Sequence, residues 1–376
     1  MKIESFRVTS VDDFGGRVSE VRTSRNRFET PTRVATSTEY NYKKNLGIEV
    51  PFENDVGEYV ARFNQGDIQA FTTRNGSYAN RIRTATAYAN QMRFVVSKCY
   101  PQYPYAYPFD ERTIRLILDV QLESGLDMVS IPHSVQEESR LTDHFRRWAR
   151  YVEEYGERFG EVGIPVPHVP MRLEEELFQD TLRELWDDRS TFPVVGLTYA
   201  PIHLYKINFD FLRNNRDQET WLHISQVPRA KYRGTNPNVS VMHWPQIYGI
   251  DTVATMIPWG GGGTEPPANY GFIRYFDHPT LSVPKIGAWI DDHKTTETQC
   301  PCPICRDRSF PEITDEFVAQ RREEVDYSPL FGVFRLHEVF RSSDAFNEGR
   351  VVISENDFRR YMRDRIGSAI EEFHPA

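Results

Sequence analysis

Asp127–Pro132 reads DMVSIP, Ile164–Val169 reads IPVPHV, Pro193–Tyr199 reads PVVGLTY, Leu222–Val227 reads LHISQV and Ile250–Met256 reads IDTVATM. Each is a short apolar run of strand length, rich in β-branched residues. Arg93–Ser97 (RFVVS) adds a sixth upstream. Amphipathic stretches separate them: Glu111–Ser124, Gln136–Phe159, Arg172–Asp187 and Phe209–Asn215. Strand, helix, strand at this spacing needs crossover connections, so neighbouring strands are expected to pair in parallel. Six such units predict an α/β fold, and a (β/α)8 TIM-type barrel in preference to an open sheet.

The pattern changes after Met256. Trp259–Pro267 reads WGGGGTEPP, a turning segment, and a hairpin is expected around Gly271–Ile290. Helices are expected over Asp315–Glu323, Pro329–Phe340 and Glu355–Glu372, the last with Ser354 as its N-cap. The predicted organisation is a barrel with an N-terminal elaboration over residues 1–290. A zinc-binding helical subdomain over 291–376 would pack on it.

Bulk properties narrow the classes. The hydrophobic fraction of 39% and aromatic fraction of 13% suit a packed core and exclude a disordered composition. The net charge of -9 supplies no global basic field for non-specific DNA binding. No apolar run reaches bilayer-spanning length, and MKIESFRVTS lacks the form of a secretory signal, so a cytoplasmic protein is expected.

Cys300-Pro-Cys302-Pro-Ile-Cys305 is a C-x-C-x-x-C knuckle. Thiolates this close wrap one ion at little loop-closure cost, and the two prolines stiffen the turn. The fourth ligand has two candidates. His337, within FGVFRLHEVF, is favoured because a helix presents a fixed imidazole, whereas His293 belongs to a polar loop. Three thiolates and one imidazole leave no open position, so a zinc ion there would be structural.

A parallel barrel followed by this knuckle and a later helical histidine resembles the tRNA-guanine transglycosylases and their relatives, including enzymes that insert 7-deazaguanines into DNA. Further matches follow in order: Phe28-Glu-Thr-Pro31, the helix containing Gln121 before Asp127-Met-Val-Ser-Ile, Val195-Gly196-Leu197, and Gly249-Ile250-Asp251. The resemblance implies base exchange on a nucleic acid. An aspartate attacks the sugar, guanine leaves, and a 7-deazaguanine takes its place.

The family's carboxylates are largely missing. Where the resemblance puts the nucleophile stands Ala254, and after RFVVS come Lys98 and Cys99 in place of D-S-G-G. Asp251 is the nearest carboxylate and becomes the catalytic candidate, against the plainer reading of a strand-start cap. His133, Gly196 and Tyr199 are the expected substrate-binding residues, and Asp277 is a weaker, displaced candidate for the nucleophile. The expected partners are a nucleic acid, with DNA slightly ahead of tRNA, and a 7-deazaguanine base. A homodimer or partner subunit is compatible with the pattern, as is a catalytically silent, zinc-stabilised binding subunit.

Overall fold

The computed structural model describes residues 2–52, 56–63, 76–91, 94–101, 110–132, 141–215, 219–229, 240–256, 274–285, 300–306, 309, 312 and 328–366. The chain opens with three antiparallel strands, β1 (Ile3–Val11), β2 (Arg17–Thr23) and β3 (Arg27–Thr30), in the order β1-β2-β3. The mixed α/β body follows: β4 (Thr32–Thr36), α1 (Ser37–Asn45), β5 (Val56–Phe63), α2 (Gly76–Gln91), β6 (Phe94–Pro101), α3 (Glu111–Glu123), β7 (Met128–Ile131) and α4 (Leu141–Phe159). It continues with β8 (Ile164–Pro170), α5 (Glu175–Asp187), β9 (Val194–Thr198), α6 (Lys206–Asn214), β10 (Trp221–Val227), a 3-10 helix at Val241–Tyr248 and β11 (Thr252–Thr255). All inter-strand pairs from β4 to β11 are parallel, and they curl the sheet in the order β10-β11-β4-β5-β6-β7-β8-β9.

The expected strands appear as β6 to β11, and the parallel pairing is as expected. β1 to β5 were not anticipated. Their runs, such as TRVAT in β4 and VGEYVARF in β5, mix polar and apolar residues and lack the long apolar signature of the later strands.

Alternation along each strand sorts side chains into two sets. Val34, Val56, Met128, Ile164, Val166, Val194, Trp221 and Ala254 pack with one another inside the curl, joined from below by Val21 and Phe28 of the N-terminal sheet. The larger set faces the helices. On α4 the buried positions Leu141, Phe145, Trp148, Ala149 and Val152 recur at helical spacing, so one stripe seats the helix on the sheet. Leu141, Phe145 and Val152 each contribute about 1.5–3 kcal/mol by burial. The start of α3 is set by Asp110, whose carboxylate accepts the Thr113 amide at 2.7 Å.

The C-terminal helices depart from expectation. α7 runs unbroken over Ser328–Ser354, and α8 spans Phe358–Ile366. Ser354 therefore ends a helix, donating its hydroxyl back to the Arg350 carbonyl at 3.0 Å, and does not cap the next. Asn356, with φ 57°, turns the chain between the two. Part of the predicted hairpin is present as the bridges Arg274↔Lys285 and Asp277↔Ser282. The helix expected at Asp315–Glu323 lies outside the described residues, as do Trp259–Pro267 and His293. Among the described residues, no helix is long and apolar enough to cross a membrane.

Candidate metal centre and barrel interior

The knuckle and α7 converge. Cys300, Cys302, Cys305 and His337 are all buried, and their ligand atoms lie within 4.8 Å of one another in a site that could hold a metal ion. His337 Nδ1 stands 3.8 Å from Cys300 Sγ and 3.4 Å from the sulfurs of Cys302 and Cys305. Its other ring nitrogen, Nε2, lies 3.0 Å from the Phe276 carbonyl, which can only accept. That bond puts the proton on Nε2 and leaves the Nδ1 lone pair aimed at the sulfurs. Tyr275 stacks on the imidazole at 4.2 Å and holds its plane, while the Cys305 amide points at Cys302 Sγ. The expected ligand set is thus assembled by one turn and one helix.

The same helix is riveted to the sheet beside the metal site. Arg335 and Glu338 of α7 join Arg33 on β4, Glu39 on α1 and Arg229 beyond β10 in a buried network. Arg33 and Arg335 both donate to Thr255 at the end of β11. Burial would raise the Glu338 carboxyl, but Arg229 and Arg335 outweigh it and hold it at about 2. Glu39 is likewise held low by Arg33 and Arg335 against the effect of burial. Its carboxylate also accepts the Thr36 amide, closing a capping box at the start of α1.

Asp251 sits at the opposite end. It directly precedes β11 and is fully buried where the strands begin. Arg17 of β2 clasps both its oxygens, Ser19 and Thr30 each donate to Oδ1 at 3.0 Å, and the Leu222 amide donates to Oδ2 at 2.8 Å. This geometry is that of an anchor between the N-terminal sheet and the starts of the parallel strands. Asp251 thus stands away from the C-terminal strand ends, where active groups of parallel α/β folds gather.

The other expected site residues divide. Gly196 faces inward, and a Cβ there would lie 2.5 Å from the His168 ring, so its bare backbone makes room for that imidazole. Tyr199 points the other way, its ring 6.3 Å from Phe209 of α6, because odd positions of β9 face the helices. It packs against α6, and burial pushes its phenol well above the usual range. Asp277 accepts from Thr280 inside a turn. His133 lies outside the described residues.

Among the described residues, the inward face also carries Glu58, His168 and His223, which the sequence did not single out. His223 Nδ1 lies 3.0 Å from Thr252 Oγ1, which also accepts the Trp221 indole N–H at 2.8 Å. His223 Nε2 faces Glu58 Oε2 at 3.8 Å, and the His168 ring stands 6.5 Å from that of His223. Glu58, His168 and His223 are 1%, 3% and 0% exposed. Their signal in the sequence was slight: single polar residues at inward positions of otherwise apolar strands. No protein-family model matches the chain, and no curated protein is significantly similar to it.

Proposed function

We propose that the chain is a diverged relative of the guanine transglycosylases, built on a zinc-stabilised TIM-type barrel and acting on the bases of a nucleic acid. One observation carries the reading: a three-cysteine turn completed by a histidine on a long helix that is itself riveted to the strand ends of a parallel sheet.

Two geometric points support the parts of this reading. Strand partners lead from Thr36 through Glu58, Val96 and Met128 to Ile164, and from His168 through Gly196, His223 and Thr252 to Thr32. Ile164 stands four residues before His168 and Thr32 four before Thr36, so one circuit slips eight residues over eight strands. That slip suits a (β/α)8 barrel. For the metal, zinc–sulfur and zinc–nitrogen bonds of about 2.3 and 2.0 Å at tetrahedral angles put the donors about 3.5 Å apart. The 3.4, 3.4 and 3.8 Å separations bracket that value. With four protein ligands the zinc supplies structure and no open position for substrate.

Ala254, fully buried where the resemblance calls for a nucleophile, favours a second reading, a silent binding subunit. Incubation of the zinc-loaded protein with radiolabelled guanine and either duplex DNA or bulk tRNA separates the two. Label entering either polymer supports exchange. Binding without label uptake in both sinks it and leaves the silent subunit.

A further inference from the structure

We propose that Glu58 is the carboxylate that acts on the sugar in this barrel, with His223 as its positioning residue and His168 as the proton carrier. The proposal rests on the base-exchange reading above and identifies the groups that would perform it.

Position is the first argument. Ala254 pairs with Val34 across β4 on one side, and Glu58 pairs with Thr36 on the other. The two are therefore two strands and two residues apart. In a barrel that slips one residue per strand, this puts them at one height. Both point inward, because Ala254 packs in the interior cluster and Glu58 meets His223 from across it. The carboxylate missing at position 254 is thus supplied, at the same level, from β5.

Environment is the second. Beneath Glu58 lie Val34, Val56, Met128, Val166 and Val194, an apolar floor on which an ionised carboxylate is costly without a compensating partner. His223 is that partner, and it is itself oriented by Thr252, whose oxygen also takes the Trp221 N–H. Thr252 orients the His223 ring, which faces the Glu58 carboxylate at 3.8 Å, a separation of the kind that closes to a hydrogen bond when substrate binds. His168 stands further toward the C-terminal strand ends, where a base would enter, in the space Gly196 leaves open.

The chemistry balances with these groups alone. A Glu58 oxygen forms a bond to C1′ of the nucleotide as the C1′–N9 bond breaks, and the electron pair leaves on guanine N9. The departing N9 takes a proton from the His168 imidazolium. The incoming deazaguanine returns a proton to His168 as its ring nitrogen attacks C1′, and the Glu58–C1′ bond breaks to restore the carboxylate.

The test uses the full, zinc-loaded chain with radiolabelled guanine and both duplex DNA and bulk tRNA. Wild type quenched by denaturant during turnover should carry a nucleic-acid adduct, and proteolysis with mass spectrometry should map it to the peptide holding Val56–Phe63. Glu58→Gln should lose the adduct and slow exchange about a thousandfold while keeping its zinc and melting temperature. His223→Gln should lower kcat with little change in KM and shift the pH profile, which a merely structural role would not do. An adduct on another residue, or exchange by Glu58→Gln within about threefold of wild type, overturns the proposal. No exchange by wild type on either polymer instead removes the base-exchange reading on which it rests. If Glu58→Gln does not fold, the wild-type adduct map alone decides.

Discussion

Asp251 and Glu58 are both buried carboxylates of the same curled sheet, one just before β11 and the other on β5, and their surroundings differ. Asp251, at the start of β11, is met by a bidentate arginine, two hydroxyls and a backbone amide. Glu58, on β5, faces an imidazole at 3.8 Å, longer than a hydrogen bond. The first is saturated by neighbours that arrive from β2, β3 and β10. The second is met by an imidazole from β10. Burial alone therefore does not mark a catalytic carboxylate. The kind of group that faces it, a guanidinium for Asp251 and an imidazole for Glu58, separates the two.

The comparison can be broken most forcefully at the metal. Cys302→Ser, or a chelator on wild type, should release the ion and loosen α7 from the mouth end. The expected loss is on the order of 5 kcal/mol or more, since structural zinc sites contribute folding energy directly. Metal content and melting temperature check this. Unchanged values in Cys302→Ser would remove the centre from the scaffold.

Next comes the floor. Asp251→Ala leaves Arg17 charged and buried, so denaturant unfolding should show a loss of about 3–5 kcal/mol. The double variant Arg17→Met, Asp251→Leu should recover much of it, because an apolar pair no longer strands a charge. A neutral Asp251→Ala would show that the anchor is not one.

Acid should act through a buried histidine. His243, in the 3-10 helix, packs 4.8 Å from Phe346 of α7, and burial pushes its pKa down to about 3. Below pH 6.5 the unfolded chain takes up a proton that the folded chain refuses. Stability should fall by up to about 1.4 kcal/mol per pH unit from this group, down to about pH 3. Glu338, held at about 2, adds to the loss below pH 4.5. A His243→Phe variant with the wild-type slope between pH 6 and 4 would refute the assignment.

Glu58→Gln should move stability least, within about 1 kcal/mol and in either direction, since it also removes a desolvated charge. Paired with a large loss of exchange, that small shift would sharpen the contrast with Asp251. A loss of 3 kcal/mol or more would make Glu58 a second anchor.

Much of the scaffold was legible. Apolar β-branched runs marked β6 to β11, and crossover spacing implied parallel pairing. β1 to β5 escaped because their alternating polar residues become meaningful only against a partner sheet. The α7–α8 boundary escaped because Ser354 satisfies both a cap pattern and a helix end, and only the left-handed turn at Asn356 separates them. Among site residues, the gathering of Cys300, Cys302, Cys305 and His337 was legible, whereas Tyr199 lies one step of alternation from the inward Gly196 face, which turns its side chain toward α6.

By itself, the sequence determined what depends on near neighbours: strands alternating with helices, and three thiolates within six residues that bind cheaply because their loop is short. The roles of the two carboxylates depend on closure. Arg17 meets Asp251 across 234 positions, and Glu58 meets His223 only when the curl of the sheet brings β5 and β10 to face each other. Charge interactions depend on distance in space and on what else is desolvated there, and neither quantity is written along the chain.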